Sequence, residues 1–148
     1  MIAIDTNLLI FAHRPDAPDH RHAVAALRPV IEGDNSWAIP WPCVHEFISI
    51  STNPRIYRPA STLEQSLEFL ELTFGSPHLQ ILAEGPGYFR HLTALAKAAN
   101  IIGPRIHDAR VAALCLHHGV RELWTADRDF SLFPQLKTRN PLVTTEAD

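Results

Sequence analysis

A chain of 148 residues, 46% of them hydrophobic and 20% charged, has the size and composition of one soluble globular domain and leaves little room for a second. Its apolar stretches are far shorter than the roughly 20 residues of a membrane-spanning helix, and its N-terminus lacks the charged and apolar regions of a secretory signal. We therefore expect a single domain over residues 1–148, located in the cytoplasm and without a membrane partner. The two cysteines, Cys43 and Cys115, lack metal-binding spacing and are expected to be reduced core thiols.

The first part of the chain alternates short apolar segments with helical patterns. Pro15 and Pro18 interrupt the first helical pattern, Gly33 ends the second, and Pro42 suits the first turn of the third. The expected elements are a strand over residues 2–5, helices over 7–13 and 20–32, a strand over 37–39 and a helix over 44–50.

The second part continues the alternation. Ser61 and Glu64 have the spacing of a capping box, which predicts a helix that runs from there to Gly75. The remaining expected elements are strands over 79–83, 122–125 and 142–145 and helices over 86–99 and 106–118, the first of these helices with Phe89, Leu92, Leu95 and Ala96 inward. Strands separated by helices predict an α/β fold, with a mainly parallel sheet of about five strands covered on both faces.

Four acidic residues occupy positions that such a sheet brings to one edge. Asp5 and Asp127 follow predicted strands, while Glu46 and Asp108 fall in the first turns of predicted helices. Clustered carboxylates near buried segments are costly unless a cation compensates them, and an oxygen-rich site suits Mg²⁺ or Mn²⁺. The pattern therefore predicts a metal-dependent nuclease.

Two other acidic-site proteins on parallel sheets fit less well. A response-regulator receiver needs paired acids after its first strand and a lysine after its last, whereas this chain has Asp5 alone and Lys137 before the expected final strand. A phosphatase of the haloacid dehalogenase type needs a second aspartate where this chain has Asn7.

The ordered motifs around these acids resemble the PIN domain, and particularly the VapC toxins of type II toxin–antitoxin pairs. The resemblance spans nearly the whole chain and rests on Asp5-Thr6-Asn7, Glu46, His107-Asp108-Ala109, Thr125-Ala126-Asp127-Arg128-Asp129-Phe130 and the segment from Ser51 to Tyr57. It implies a PIN-like three-layer α/β/α sandwich.

The resemblance also implies a ribonuclease that uses Mg²⁺ or Mn²⁺ to cleave structured RNA such as tRNA or rRNA. Asp5, Glu46, Asp108 and Asp127 would form its acidic quartet. Because the Glu46 side chain is longer than that of aspartate, we expect Glu46 to contact the ion through water. A cognate VapB-type antitoxin would neutralise it, and the toxin would form a homodimer. The alternative is a non-catalytic PIN-fold module that binds RNA or protein, although such a module has no need for four mutually repelling carboxylates.

Supporting roles have two interpretations each. Thr6 and Asn7 can orient Asp5 or cap the following helix, and Thr125 can hold a metal-bound water or phosphate or serve as a β-branched strand residue. Asp129 can join the site or cap the turn that follows it, and we expect the cap.

With the quartet set aside, the sixteen acids fall to twelve against thirteen Lys and Arg, so the rest of the chain is near neutral despite a formal net charge of −3. Candidates for RNA-backbone contacts are Arg14, Arg55, Arg58, Arg105, Arg110 and Arg128.

The His20/His22 and His117/His118 pairs lack the i, i+4 spacing of a helical zinc site. The aromatic residues expected in the core are Trp37, Trp41, Phe47, Trp124, Phe130 and Phe133.

Overall fold

The structure, a computed structural model, describes residues 1–143 and is built around a five-stranded sheet. The strands lie in the order β3-β2-β1-β4-β5, and every neighbouring pair is parallel. The strands are β1 (Ile2–Ile4), β2 (Trp37–Pro40), β3 (Leu79–Leu82), β4 (Glu122–Trp124) and β5 (Thr138–Arg139).

Helices connect the strands and cover the sheet. They are α1 (Thr6–His13), α2 (His20–Glu32), α3 (Trp41–Ser51), α4 (Leu63–Phe74), α5 (Tyr88–Ala98) and α6 (Ile106–His117). Helix α1 packs on α2 and α3, α3 packs on α4, and α5 packs on α6. The predicted α/β/α architecture with a parallel sheet is therefore confirmed.

The chain order of the strands places a switch point beside β1. From β1 the chain moves outward through β2 and β3, then returns past β1 to form β4 and β5 on the other side. Where the connections that follow two neighbouring strands, here β1 and β4, leave in opposite directions, a crevice opens between the carboxyl ends of the strands, which is where open α/β sheets bind ligands. The ends of β1 and β4 are therefore the place to look for a functional site.

The core sits on the central strands, whose side chains are buried on both faces as a parallel sheet requires. Trp37, Phe47, Phe130 and Phe133 are buried there as expected. Cys43 and Cys115 are buried free thiols, as predicted. Among residues 1–143, no helix has the length and apolarity to span a bilayer.

Two aromatic residues expected to face inward do not. Trp41 is 38% exposed, because it is the first residue of α3 and its ring lies outside the core. Phe89 is 71% exposed, because the inward face of α5 instead follows Tyr88, Leu92 and Leu95 at helical spacing.

The capping box at the start of α4 lies one residue later than predicted. Thr62 Oγ1 accepts the Gln65 N–H at 3.1 Å, and Gln65 Oε1 accepts the Thr62 N–H at 2.9 Å. Ser61 and Glu64 do not form this pair, because the Ser61 hydroxyl instead contacts His13 Nε2 at 2.8 Å. Ser61 and Thr62 are adjacent, and each carries a hydroxyl that can cap a helix, so sequence spacing alone does not show which of the two forms the capping box.

The last strand also differs from the prediction. It is Thr138–Arg139, pairing with Leu123 and Trp124, rather than residues 142–145. Pro141 lacks an N–H for a sheet ladder, and the Leu142 N–H donates to Asn140 Oδ1 at 3.0 Å in a turn. Residues 144 and 145 of the predicted strand lie outside the described residues.

Candidate metal centre

Two carboxylates lie at the switch point, one after β1 and one after β4. Asp5 directly follows β1, and its backbone N–H donates to Trp124 O at the end of β4, 3.0 Å away. Asp127 follows the same end of β4 by three residues. Parallel pairing of β1 and β4 thus places the two acids at one edge of the sheet.

Asp5 is held by hydrogen bonds to both of its oxygens. Oδ1 accepts the Thr6 N–H at 2.8 Å and lies 3.4 Å from the Cys43 thiol, while Oδ2 accepts the Thr125 hydroxyl at 2.7 Å. Only 5% of Asp5 is exposed. Burial raises its pKa above the usual range, and the hydrogen bonds from Thr125 and Thr6 offset part of that rise. Asp5 is therefore a firmly held, buried carboxylate that a cation at this edge of the sheet could use as a ligand.

Asn7 and Thr125 link the ends of the two strands. Asn7 Nδ2 lies 3.4 Å from Asp5 Oδ2 and 3.3 Å from Thr125 Oγ1, and Asn7 Oδ1 accepts the Ala126 N–H at 3.1 Å. Thr125 Oγ1 also accepts the Asp127 N–H at 3.0 Å. The side chain of Asn7 therefore bridges to β4 instead of capping α1, which Asp5 caps.

Glu46 approaches the same edge from α3. The helix begins at Trp41, so Glu46 lies in its second turn and not in the first turn that the sequence predicted. The Thr6 hydroxyl donates to Glu46 Oε2 at 3.2 Å, which ties this exposed carboxylate to the first turn of α1. Partial loss of hydration raises the pKa of Glu46, and the negative charge of Asp5 raises it further.

Three carboxylates converge at the mouth of the site. Asp108, Asp127 and Asp129 each place one oxygen within 4.8 Å of the other two. The expectation that Asp129 caps the following turn is wrong, because Asp127 Oδ1 is the cap and accepts the Asp129 N–H at 2.8 Å. Burial raises the pKa of Asp108, and the charges of Asp127 and Asp129 raise it further.

The donor set fits a hard divalent cation. All of these ligands are carboxylates, and Asp5, Glu46 and Asp108 each have a raised pKa to which neighbouring carboxylates contribute. Such mutual repulsion indicates negative charge that residues 1–143 offset only in part, since the charge of Arg105 lowers the pKa of Asp108 against the larger effects that raise it. Oxygen ligands of this kind suit Mg²⁺ and Mn²⁺ better than softer metals.

A cleft opens beside the carboxylates between α3 and α6. Its lining residues are Pro42, His45, Glu46, His107, Asp108, Arg110 and Val111. Arg110 pairs with Glu84, with Nη2 and Oε1 3.1 Å apart, so its guanidinium stays near the cleft. His45 was not among the residues selected from the sequence, where the only signal was its position next to Glu46.

The arginines suggested for RNA contact differ in their exposure to solvent. Arg14 is 8% exposed, and its guanidinium binds Asp16 at 2.7 Å and Pro59 O at 2.9 Å, so it holds the loop before α4. The arginines that lie exposed are Arg55, Arg58, Arg105 and Arg128. We therefore leave Arg14 out of the candidate RNA surface.

An all-parallel α/β/α sheet with carboxylates gathered at its switch point is the arrangement of the PIN domain, and the PIN domain profile matches residues 2–136. The chain belongs to the PIN domain family, as the sequence motifs indicated. Ribonuclease VapC31 of Mycobacterium tuberculosis is 29% identical over 141 residues, which cover 95% of this chain and 99% of that relative.

Two solved structures share the fold. VapBC2 from Rickettsia felis, bound to a DNA fragment from its promoter, has a TM-score of 0.67 at 19% identity and covers 95% of this chain and 98% of its own. The Mycobacterium tuberculosis toxin VapC20, which cleaves the sarcin-ricin loop, has a TM-score of 0.64 at 13% identity over 88% of this chain and 93% of its own. The architecture is thus shared well beyond the range of close sequence similarity.

The raised pKa of Asp108 predicts how the metal-free protein responds to pH. A carboxylate whose pKa is higher in the folded state than in the unfolded state costs stability when charged, and the cost disappears as pH falls through the folded pKa. Asp108→Asn should therefore raise the melting temperature at pH 7.5 by about 2–4 °C, for roughly 1 kcal/mol of partly screened repulsion, and by less near pH 4.5.

Thermal unfolding in EDTA at both pH values tests this. The difference between variant and wild type cancels other titrating groups, such as His13, whose pKa burial lowers. An equal difference at the two pH values would show that Asp108 carries no such repulsion.

Proposed function

We propose that this chain is a metal-dependent endoribonuclease of the VapC kind, the toxin of a type II toxin–antitoxin pair. The observation that carries the proposal is the group of five carboxylates at the switch point, three of them with oxygens within 4.8 Å of one another, in a PIN domain. Relatives that align over nearly the full chain are named as ribonucleases, which supports the same reaction. The substrate class is structured RNA such as tRNA or rRNA.

The acidic residues have different proposed roles, which follow from where each side chain lies. Asp108, Asp127 and Asp129 hold the cation, and Asp5 adds a ligand that Thr125 and Thr6 keep in one orientation. Held by these residues, Mg²⁺ or Mn²⁺ would lower the pKa of a water molecule and offset negative charge on the phosphate. Glu46 is exposed beside the cleft and has a raised pKa, so it is suited to accept the proton of the attacking water.

Cation binding should stabilise the folded protein. A ligand that binds only the folded state at 100 times its Kd adds about 2.7 kcal/mol, so we expect saturating Mg²⁺ or Mn²⁺ to raise the melting temperature by about 5–10 °C. Thermal unfolding with and without each ion measures this. Asp108→Asn should lose most of the rise. A folded wild-type protein that shows no rise with either ion would contradict the metal site.

The exposed arginines supply the candidate RNA surface. Arg128 is exposed and lies in the sequence between Asp127 and Asp129, two acids of the proposed metal centre. If it contacts a phosphate, Arg128→Ala should reduce the slope of log affinity against log salt by about 1. Filter binding over a salt series measures the slope. Arg28→Ala removes an arginine on α2 that lies 3.9 Å from Glu32 and should leave it unchanged. Equal slopes for the wild type and Arg128→Ala would remove Arg128 from the surface.

The proposed protein partners are a cognate VapB-type antitoxin and a second copy of the toxin. Solved relatives of this fold include VapBC toxin–antitoxin complexes, and α4 carries several exposed apolar side chains, namely Leu63, Leu67, Leu72 and Phe74. An antitoxin that covers the acidic centre would place an Arg or Lys against it. We place the toxin in the cytoplasm, with its RNA substrates. Purification as a monomer with no inhibitor, combined with full viability on expression, would oppose this assignment.

Cleavage of total cellular RNA tests the function. The purified chain with Mg²⁺ or Mn²⁺ should produce discrete fragments whose ends map by sequencing to a few sites, and EDTA should abolish them. A folded protein that binds metal but cuts no RNA with either ion would favour the non-catalytic binding module instead.

A further inference from the structure

The indole of Trp41 forms an exposed aromatic surface at the start of α3, the helix that carries Glu46. Its ring stacks on the imidazole of His45, with centroids 5.9 Å apart and planes at 23°, and meets Phe74 edge-on at 6.4 Å. Trp41 is 38% exposed, whereas the other tryptophans, Trp37 and Trp124, are 1% and 9% exposed. The stacked pair is therefore an aromatic surface held in one orientation and open to solvent.

This pair adjoins the cleft through His45. His45 lines the cleft together with Glu46, Asp108 and Arg110, and Trp41, which precedes His45 by one turn of α3, stacks on it from outside that lining. An exposed aromatic plane, the Arg110 guanidinium, which pairs with Glu84, and the carboxylates therefore lie at or beside one opening. A base, a phosphate and a divalent cation respectively are the groups that such surfaces attract.

We propose that Trp41, backed by His45, stacks with an unpaired base of the RNA substrate and so positions the neighbouring phosphate at the acidic centre. This inference rests on the proposed ribonuclease function and assigns a positioning residue to it. Proteins recognise single-stranded RNA loops by stacking splayed bases on aromatic rings. Hydrogen bonds to phosphates alone do not contact the base. We propose a nucleobase as the group that stacks on the Trp41 ring. The competing possibility is a side chain of a protein partner, and the test must distinguish the two.

Trp41 fluorescence gives a direct test. Iodide should quench mainly Trp41, since Trp37 and Trp124 are buried. The ligands are a stem-loop RNA with unpaired adenosines in its loop and the same stem-loop with abasic riboses there. Both are added to the Asp108→Asn variant in Mg²⁺, in which we expect cleavage to be at least a hundredfold slower, so that binding is measured before the RNA is cut. Protection from iodide by the adenosine loop and not by the abasic loop is the expected result. Equal protection by both, or protection by neither, would overturn the proposal.

Substitutions separate stacking from fold. In the same Asp108→Asn background, Trp41→Leu should weaken binding of the adenosine stem-loop by about tenfold, as expected for loss of one stacked base, while Trp41→Phe should retain most of the affinity. Phe89→Leu removes an aromatic ring that is 71% exposed on α5 and should leave the affinity unchanged. Unchanged affinity in Trp41→Leu would overturn the proposal, and weakened antitoxin binding in that variant would then assign the surface to the protein partner.

The outcomes also separate this inference from the proposed function. RNA cleavage by the wild type with an unchanged rate and pattern in Trp41→Leu would retain the ribonuclease and remove the stacking residue. Base-dependent protection of Trp41 without any cleavage would retain the stacking residue within an RNA-binding module.

Discussion

Asp108→Asn should lower the rate of metal-dependent RNA cleavage by a hundredfold or more while the protein stays folded. Asp108 is the α6 carboxylate of the group formed with Asp127 and Asp129, and its amide analogue keeps the shape but loses the charge. A cation contributes several kcal/mol to such a reaction, and each 1.36 kcal/mol is a factor of ten in rate. Single-turnover cleavage of the mapped RNA measures the loss.

The matched control is Asp34→Asn, which makes the same change at an exposed residue in the turn before β2. It should cleave at the wild-type rate. Asp108→Asn that cleaves within a few-fold of the wild type at saturating Mg²⁺ would show that Asp108 does not hold the catalytic ion.

Thr125→Val should reduce cation affinity and cleavage by about ten- to a hundredfold, although Thr125 is not itself a proposed ligand. Its hydroxyl donates to Asp5 Oδ2 at 2.7 Å, accepts the Asp127 N–H at 3.0 Å and lies 3.3 Å from Asn7 Nδ2. Valine keeps the β-branched shape but leaves the buried Asp5 carboxylate without its shortest hydrogen bond. Mn²⁺ titration and single-turnover cleavage measure the two effects.

The same variant should also lose about 1–3 kcal/mol of stability, because the buried Asp5 carboxylate and the partly buried Asp127 N–H both lose the Thr125 hydroxyl as a partner. Thr138→Val makes the same substitution at an exposed position of β5 and should change neither affinity nor rate. Wild-type cation affinity in Thr125→Val would show that Asp5 needs no such support.

Most of the fold was predictable because its elements have strong periodic signals. Buried parallel strands are short apolar runs, and the helices between them carry apolar residues at helical spacing. The acids at positions 5 and 127 were found because each comes within three residues after one of two strands that pair in parallel. Sequence reasoning thus located the edge of the sheet where the site lies.

The differences arise where tertiary contacts decide between neighbouring residues. Asp127 and Asp129 are both suitable caps, and only the folded loop shows that Asp127 accepts the N–H. Trp41 looked like a core residue because its neighbours are apolar, but helix α3 begins there and turns its ring toward His45. The final strand is only two residues long, too short to give a periodic signal.

The most direct test of the account is the position of Mn²⁺ in a crystal soaked with that ion, located by its anomalous scattering. We predict a peak bounded by the carboxylates of Asp108 and Asp127, with Asp5 or Asp129 completing the protein ligands, and no such peak in Asp108→Asn. A peak bound elsewhere, or none at this edge of the sheet at a saturating concentration, would contradict a metal-dependent centre formed by these acids.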